Sequence, residues 1–116
     1  MAAAINMLIY KIVHFEEWPD AEERGIYEGS AKDRSDGFLH FSTLDQLPGT
    51  LARYYAKQND LVLVAIDGDK LGNMLKFEPS TGGELYPHLF APLQMSDVKW
   101  ARALKRGPDD EFVLPI

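Results

Sequence analysis

Two segments of the chain carry histidines in settings that could support chemistry, Gly37–Thr43 and Glu84–Phe90. In the first segment, His40 and Ser42 are two residues apart, so in an extended strand their side chains point to the same face. Imidazole titrates near neutral pH and a hydroxyl both donates and accepts hydrogen bonds. The pair could therefore hold a polar ligand or move a proton.

A helix N-terminus is predicted directly after this strand. Thr43-x-x-Gln46 has the form of a capping box, which indicates a helix beginning at Leu44. The free backbone N–H groups of residues 42–46 would then suit a phosphate or carboxylate. The alternative is that Ser42 or Thr43 only caps the helix and that His40 is a core histidine.

The second segment places an acid, a phenol and an imidazole in one row. Glu84, Tyr86 and His88 share a face if the segment is extended. Pro87 fixes its own φ angle, which stiffens the segment and predicts an edge strand or a bulge. The alternative is an edge strand whose polar side simply faces water.

Length and composition limit the class of protein. The 116 residues predict a single domain over 1–116, with residues 1–6 as a flexible N-terminus. The net charge of −6 argues against binding the DNA backbone, which needs clustered cations. No apolar run approaches the roughly 20 residues that span a bilayer, and the N-terminus does not resemble a signal peptide. The lack of cysteine fits a cytoplasmic location.

Common catalytic motifs are missing from the sequence. The three histidines form no H-x-x-H or H-E-x-x-H element, so no metal site is expected. There is no Gly-x-Ser-x-Gly turn, Walker loop or Rossmann glycine pattern. His14 directly follows a predicted strand and is interpreted as a loop histidine.

Hydrophobic patterning predicts an α+β fold with a mixed, mostly antiparallel β core and two main helices. Met7–Val13 is predicted to be a central strand covered on both faces. One helix is predicted over Glu16–Arg24, ending at Gly25, and the second begins at Leu44. Ser30–Gly37 is polar and is predicted to be a loop. Further strands are predicted at Gly25–Tyr27, Phe38–Phe41, Leu61–Ile66, Leu75–Glu78, Glu84–Phe90 and Val98–Leu104.

The order of several motifs resembles a family of small bacterial proteins known as domain-of-unknown-function family 952. The resemblance covers roughly residues 7 to 104. Its motifs are Leu8-Ile-Tyr-Lys-Ile12, Trp18, Gly25-x-Tyr-x-Gly-Ser30, Asp36-Gly-Phe-Leu-His-Phe-Ser-Thr43, Leu75-Lys-Phe-Glu78 and Tyr-Pro-His-Leu-Phe90.

This resemblance implies a fold similar to that of ADP-ribosyltransferases, in the RNA 2′-phosphotransferase branch, with a split β core and a cleft for NAD. It implies one cleft position on each of three strands: Lys11 or a neighbour, His40 with Ser42, and His88. Transferases of the toxin type have a glutamate where His88 stands here. The roles of Glu78 and Glu84 are left open by the sequence.

Two functions remain open at this point. The first is an enzyme that acts on NAD, as substrate, or on a related ribose-phosphate ligand. His40 and His88 would be its catalytic residues; Lys11, Ser42, Thr43 and Tyr86 would contact the ligand. The second is a non-catalytic module that keeps the cleft and binds a small nucleotide-like ligand. Thr81 and Phe90-Ala91 stand where many relatives have Arg and Tyr-Gly, so one cation that could meet a phosphate is absent.

Overall fold

The computed structural model describes residues 7–116, so the expectation for residues 1–6 lies outside the described residues. The strands are β1 (Leu8–His14), β2 (Ile26–Tyr27), β3 (Leu39–His40), β4 (Leu61–Asp67), β5 (Leu75–Pro79), β6 (Leu85–Leu89), β7 (Leu93–Gln94), β8 (Val98–Arg106) and β9 (Phe112–Val113). The α-helices are α1 (Trp18–Arg24), α2 (Ala31–Asp36) and α3 (Leu47–Tyr54). Short 3-10 helices cover Phe15–Glu17, Gly68–Met74, Thr81–Gly83 and Met95–Asp97.

The strands form two main antiparallel sheets and one small pair. The larger sheet has the order β1-β4-β8-β9, the second has the order β3-β6-β5, and β2 pairs with β7. The α+β class is confirmed. The predicted mixed sheet is not found in residues 7–116, where every ladder is antiparallel.

The two main sheets touch at one point and then separate. Tyr10 of β1 and Ser42, just after β3, exchange two backbone hydrogen bonds of 2.8 Å each. β1 is buried along most of its length, as expected, but it is the end strand of its sheet and not a central one. Beyond Tyr10, β1 and β3 diverge and leave a gap between the sheets.

The hydrophobic core lies on both faces of the β1–β4 ladder. On one face, Trp18 and Ala21 of α1 pack against strand residues such as Ile9 and Val64. On the other face, Leu47 and Leu51 of α3 are buried. No helix among the described residues is long and apolar enough to cross a membrane.

The chain has a third α-helix where the sequence was interpreted as a loop. α2 begins at a capping box in which the Ser30 hydroxyl accepts from the Asp33 N–H and the Asp33 carboxylate accepts from the Ser30 N–H. Gly37 ends the helix with a left-handed φ of 87°. The loop prediction for Ser30–Gly37 and the count of two main helices are therefore wrong, because the capping interactions outweigh the polar composition.

The helix after Thr43 starts three residues later than predicted. Residues 44–46 form a turn, and α3 begins at Leu47 with Pro48 in its first turn. A start at Leu44 would place Pro48 in the helix interior, where its missing N–H and its ring are not tolerated. Gln46 still accepts from the Thr43 N–H, as one half of a capping box would.

Pro87 lies in the central strand of the second sheet, not at an edge. The Pro87 carbonyl accepts from the Phe41 N–H, so the side of Pro87 that lacks an N–H faces the end of the two-residue strand β3. The pairing of β6 with β3 ends next to Pro87, so the ladder does not need an N–H from this residue. The edge-strand prediction is therefore wrong. The reason for it still holds, because the missing N–H of Pro87 leaves no gap in a hydrogen-bonded ladder.

Candidate functional site

The gap between the two sheets is a cavity of about 720 Å³. This volume lies within the range of small-molecule sites. Its walls come from the edge of β1, from α2, from β3 and β6, and from the end of α3. All three histidines of the chain line it: His14, His40 and His88.

Strand pairing brings the two predicted histidines together. His40 of β3 lies directly opposite His88 of β6 in the ladder, and such cross-strand neighbours share a face. Their ring centroids are 5.6 Å apart. The Phe38 ring stacks on the His88 ring at 4.1 Å and also contacts the His40 ring at 4.6 Å, so it packs against both.

Two carboxylates hold His40. Its Nδ1 lies 2.6 Å from Asp33 Oδ1, and its Nε2 lies 2.9 Å from Asp36 Oδ2. The backbone N–H of His40 also donates to Asp33. Both ring nitrogens of His40 are therefore engaged by carboxylates.

Asp33 is the buried centre of this network. Its Oδ2 accepts from Lys11 Nζ at 2.8 Å, and both side chains are almost fully buried. Burial on its own would raise the pKa of Asp33. Hydrogen bonds from His40 and the charge of Lys11 outweigh burial and hold that pKa well below its ordinary value. Asp33 is therefore a charged acceptor that fixes His40 and Lys11 to α2.

Lys11 lines the cavity, but its ammonium group is already bound. Besides Asp33, it donates to the backbone carbonyl of His40 at 2.9 Å. Its role in the structure is to join β1 to β3 and α2 at the closed end of the gap.

A carboxylate also holds His88. Glu78 of β5 lies diagonally across the β5–β6 ladder, and its Oε1 is 2.9 Å from His88 Nδ1. The His88 side chain is only 5% exposed, whereas that of Glu78 is 40% exposed. Within residues 7–116, His88 Nε2 has no hydrogen-bond partner in the structure, and the residue lines the cavity. Nε2 is thus the ring nitrogen available to a ligand.

Tyr86 and Ser42 face the cavity, while Glu84 does not. The Tyr86 hydroxyl accepts from Arg53 of α3 at 2.7 Å. Ser42 Oγ lies 3.0 Å from the Thr50 hydroxyl, also on α3. Glu84 is exposed and accepts from the Gln46 side chain instead, so the predicted row of three groups keeps only Tyr86 and His88 in the cavity.

Three of the five N–H groups in the predicted anion site at residues 42–46 are engaged by acceptors within the protein. The Ser42 N–H donates to Tyr10, the Thr43 N–H to the Gln46 side chain, and the Gln46 N–H to Thr43. Thr43 is not among the residues that line the cavity. The reason is the late start of α3, which turns these N–H groups inward to local acceptors.

The opposite end of the cavity is aromatic and was missed from the sequence. His14, the last residue of β1, packs 6.4 Å from the Tyr55 ring, and the Tyr27 hydroxyl donates to Glu17 at 3.0 Å. Burial and the nearby charge of Glu17 raise the pKa of Tyr27, so its phenol stays protonated. The loop interpretation of His14 is wrong, because β1 extends one residue further than the apolar run.

The edge of β1 presents free backbone groups to the cavity. Tyr10 directs its N–H and C=O away from β4, towards Ser42. Because strand residues alternate, Ile12 directs its N–H and C=O to the same side. Ile12 lines the cavity, and these two groups have no partner within the described residues.

Two functional carboxylates escaped the sequence interpretation for different reasons. Asp33 had a local signal, because Ser30-x-x-Asp33 has the form of a capping box. No local sequence signal marks Glu78, because its contact with His88 depends on the register between β5 and β6. In the part of the chain that the structure describes, no group of three or more His, Asp or Glu side chains is arranged to hold a metal ion.

The family prediction is confirmed by comparison with known proteins. The model of the family described as "Protein of unknown function (DUF952)" matches residues 12–101, and the chain belongs to this family. The crystal structure of protein CC0527 from Caulobacter crescentus is similar, with 42% sequence identity and a TM-score of 0.86. That likeness covers 92% of this chain and 94% of that chain.

The solution NMR structure of CC0527 from the same organism is also similar. It shares 42% identity, covers 90% of each chain and has a TM-score of 0.81. No match was found among curated proteins. The function must therefore be argued from the cavity itself.

Proposed function

We propose that this chain binds NAD, or a related ribose-phosphate ligand, in the cavity between its two sheets. We further propose that the fold is ADP-ribosyltransferase-like and that His40 and His88 are its catalytic residues. The observation that carries the proposal is the pair of histidine rings 5.6 Å apart on one wall, each held by a carboxylate. A carboxylate that holds one ring nitrogen orients the other for hydrogen bonding or proton transfer.

The free backbone groups of Ile12 support a carboxamide-bearing ligand. An amide offers one donor and one acceptor side by side, which complements an adjacent N–H and C=O. Nicotinamide carries such a group on a planar ring. The aromatic end of the cavity, with Tyr27 and Tyr55, suits a planar ring as well.

The simplest reaction of this kind is hydrolysis of NAD. The bond between nicotinamide and ribose C1′ breaks, and nicotinamide leaves with the bonding electron pair. Water attacks C1′, and His88 Nε2 takes the proton that the water loses. Ser42 holds a ribose hydroxyl, and His40 Nε2 binds the phosphate groups next to the ribose. The products are nicotinamide, ADP-ribose and one proton.

A binding module without turnover is the second candidate, and one observation favours it. Every carboxylate beside the histidines is already engaged: Asp33 with Lys11, Asp36 with His40, and Glu78 with His88. None is left to stabilise a developing positive charge at C1′. In that case the ligand binds and is released unchanged.

Calorimetry and nicotinamide release test the two candidates together. NAD, ADP-ribose and 2′-phosphorylated RNA ends are titrated into the wild type, the His40→Asn and His88→Asn variants, and Lys99→Gln as a control outside the cavity lining. We expect at least one ligand to bind the wild type and the control, and to bind both histidine variants roughly tenfold more weakly. Binding without nicotinamide release supports the non-catalytic binding module. No binding by any of these ligands contradicts both candidates.

A further inference from the structure

Asp36, at the end of α2, lies between the side chains of Lys32 and His40. Its Oδ2 is 3.2 Å from Lys32 Nζ and 2.9 Å from His40 Nε2. All three residues line the cavity. A negatively charged group thus already occupies the space between two side chains that commonly bind anions.

The surrounding charges leave this position attractive to an anion. Behind His40, Lys11 and Asp33 neutralise each other in a buried pair. On the cavity side, Lys32 Nζ and His40 Nε2 both lie against Asp36, while Glu17, another acid that lines the cavity, accepts from the Tyr27 hydroxyl. If the Asp36 side chain rotates away, the Lys32 ammonium and His40 Nε2 become available to an anion in the cavity.

Asp36 is also much less firmly held than Asp33. Its side chain is 35% exposed, against 2% for Asp33. It is the last residue of α2, where the helix dipole disfavours a negative charge. Lys32, its other partner, is 71% exposed, and ion pairs between exposed side chains contribute little to stability. The carboxylate can therefore be displaced at small cost.

We propose that Lys32 Nζ and His40 Nε2 form a phosphate subsite, which Asp36 occupies in the empty protein and leaves when a phosphate or diphosphate group enters. This inference rests on the proposed function and deepens it. A ribose-phosphate ligand needs a cation for its phosphate, and Lys11 is already bound to Asp33. The subsite supplies the Lys32 ammonium, with His40 Nε2 as a second hydrogen-bonding group.

The test compares pyrophosphate binding by the wild type and by Asp36→Asn, followed through the NMR signals of the His40 ring. Asparagine keeps the size of the side chain and removes its charge. We expect pyrophosphate to bind Asp36→Asn five- to tenfold more tightly, because a competing negative charge is gone. Asp20→Asn is the matched control, because Asp20 forms the same i,i+4 ion pair with Arg24 on α1, outside this cavity. Its affinity should equal that of the wild type.

Lys32→Gln is a second test variant. Its result does not depend on whether α2 stays folded when Asp36 is replaced. This variant should bind pyrophosphate several-fold more weakly than the wild type. Equal affinities in the wild type, Asp36→Asn and Lys32→Gln would overturn the subsite. Tighter pyrophosphate binding by Asp36→Asn with no binding of NAD would support the subsite and reject the proposed function. NAD binding without tighter pyrophosphate binding by Asp36→Asn would reject the subsite alone and leave the proposed function intact.

Discussion

His40 and His88 are each fixed by a carboxylate from a different element, Asp33 of α2 for His40 and Glu78 of β5 for His88. The histidines themselves could be chosen from the sequence, because their spacing from Ser42 and Tyr86 places them on definable strand faces. The carboxylate partners could not all be chosen this way. A cross-strand contact depends on register, and register is set by the whole sheet.

The Glu78 carboxylate should determine which nitrogen of His88 carries the proton. Because an ionised carboxylate accepts, the structure predicts a proton on Nδ1 and a free Nε2. In Glu78→Gln the amide can donate as well as accept, so we expect the tautomer with the proton on Nε2 to become populated. The ¹⁵N chemical shifts of the ring measure this change.

Glu84→Gln is the control for this prediction. Glu84 is the nearby acid that contacts Gln46 and no histidine. The account of His88 is wrong if both variants leave the tautomer unchanged, or if both change it equally.

The buried pair of Lys11 and Asp33 should matter most for stability. Asp33→Asn leaves the Lys11 ammonium buried without a counter-charge, which costs about 3 kcal/mol or more. Denaturant unfolding at neutral pH measures the loss. Asp45→Asn, at an exposed position, should stay within about 0.5 kcal/mol of the wild type.

The same pair predicts how stability depends on pH. The pKa of Asp33 is lower in the folded chain than in the unfolded chain, so the unfolded chain takes up the proton first. The contribution of Asp33 is complete above its unfolded pKa of about 3.9 and is lost as the pH falls towards the folded value. The free energy of unfolding of the wild type should therefore fall below about pH 4, and that of Asp33→Asn should fall less. A parallel decline in both proteins would speak against an ionised Asp33.

At the scale of elements, local signals predicted the strands well and the helix boundaries less well. β4 is predicted directly by Leu61–Ile66, because a continuous apolar run suits a strand buried on both faces. α2 was missed because its six residues, five polar and one alanine, show no hydrophobic period. Its N-terminus is fixed by Ser30 and Asp33 and its end by Gly37. Because α2 lines part of the cavity, the missed helix also hid the positions of Asp33 and Asp36 in the site.

The loop of residues 55–59, which follows α3, is held by a single arginine at the end of β8. Arg106 donates to the carbonyls of Ala56 and Gln58 at 2.9 and 2.7 Å and to the Asn59 side chain at 3.0 Å. Its guanidinium also lies 3.9 Å from the centroid of the Phe112 ring. Tyr55 and Gln58 line the cavity, so Arg106 positions one cavity wall without touching the cavity itself.

Replacing Arg106 with lysine should loosen this wall and leave the sheets intact. Lysine keeps the charge but cannot reach several acceptors in one plane. We expect the backbone amides of the 55–59 loop to exchange with solvent roughly tenfold faster, while those of β4 are unchanged. Arg102→Lys is the matched control, because Arg102 is on the same strand, packs against Trp100 and bonds only the Pro115 carbonyl. Equal loop exchange in both variants would refute this role for Arg106.

At the scale of the whole molecule, the site exists because two sheets meet at one backbone bridge and then separate. The bridge between Tyr10 and Ser42 closes one end of the gap, and the ion pair of Lys11 with Asp33 reinforces it. Hydrophobic patterning in the sequence predicted the strands that bound this gap, and the resemblance to a family implied a cleft lined by three of them. The depth of the cavity and its aromatic end could not be predicted, because they depend on how far β1 extends past the bridge and on where the 55–59 loop packs.

The central claim is that His40 and His88 form one ligand site for NAD or a related ribose-phosphate. The most direct measurement is a titration of the ¹³C,¹⁵N-labelled chain with NAD and ADP-ribose, following the ring signals of His40 and His88. The account predicts that both rings shift together and saturate at the same ligand concentration, with one apparent Kd. If neither ring responds, or if the two rings respond with clearly different affinities, the two histidines do not form a common site and the claim is wrong.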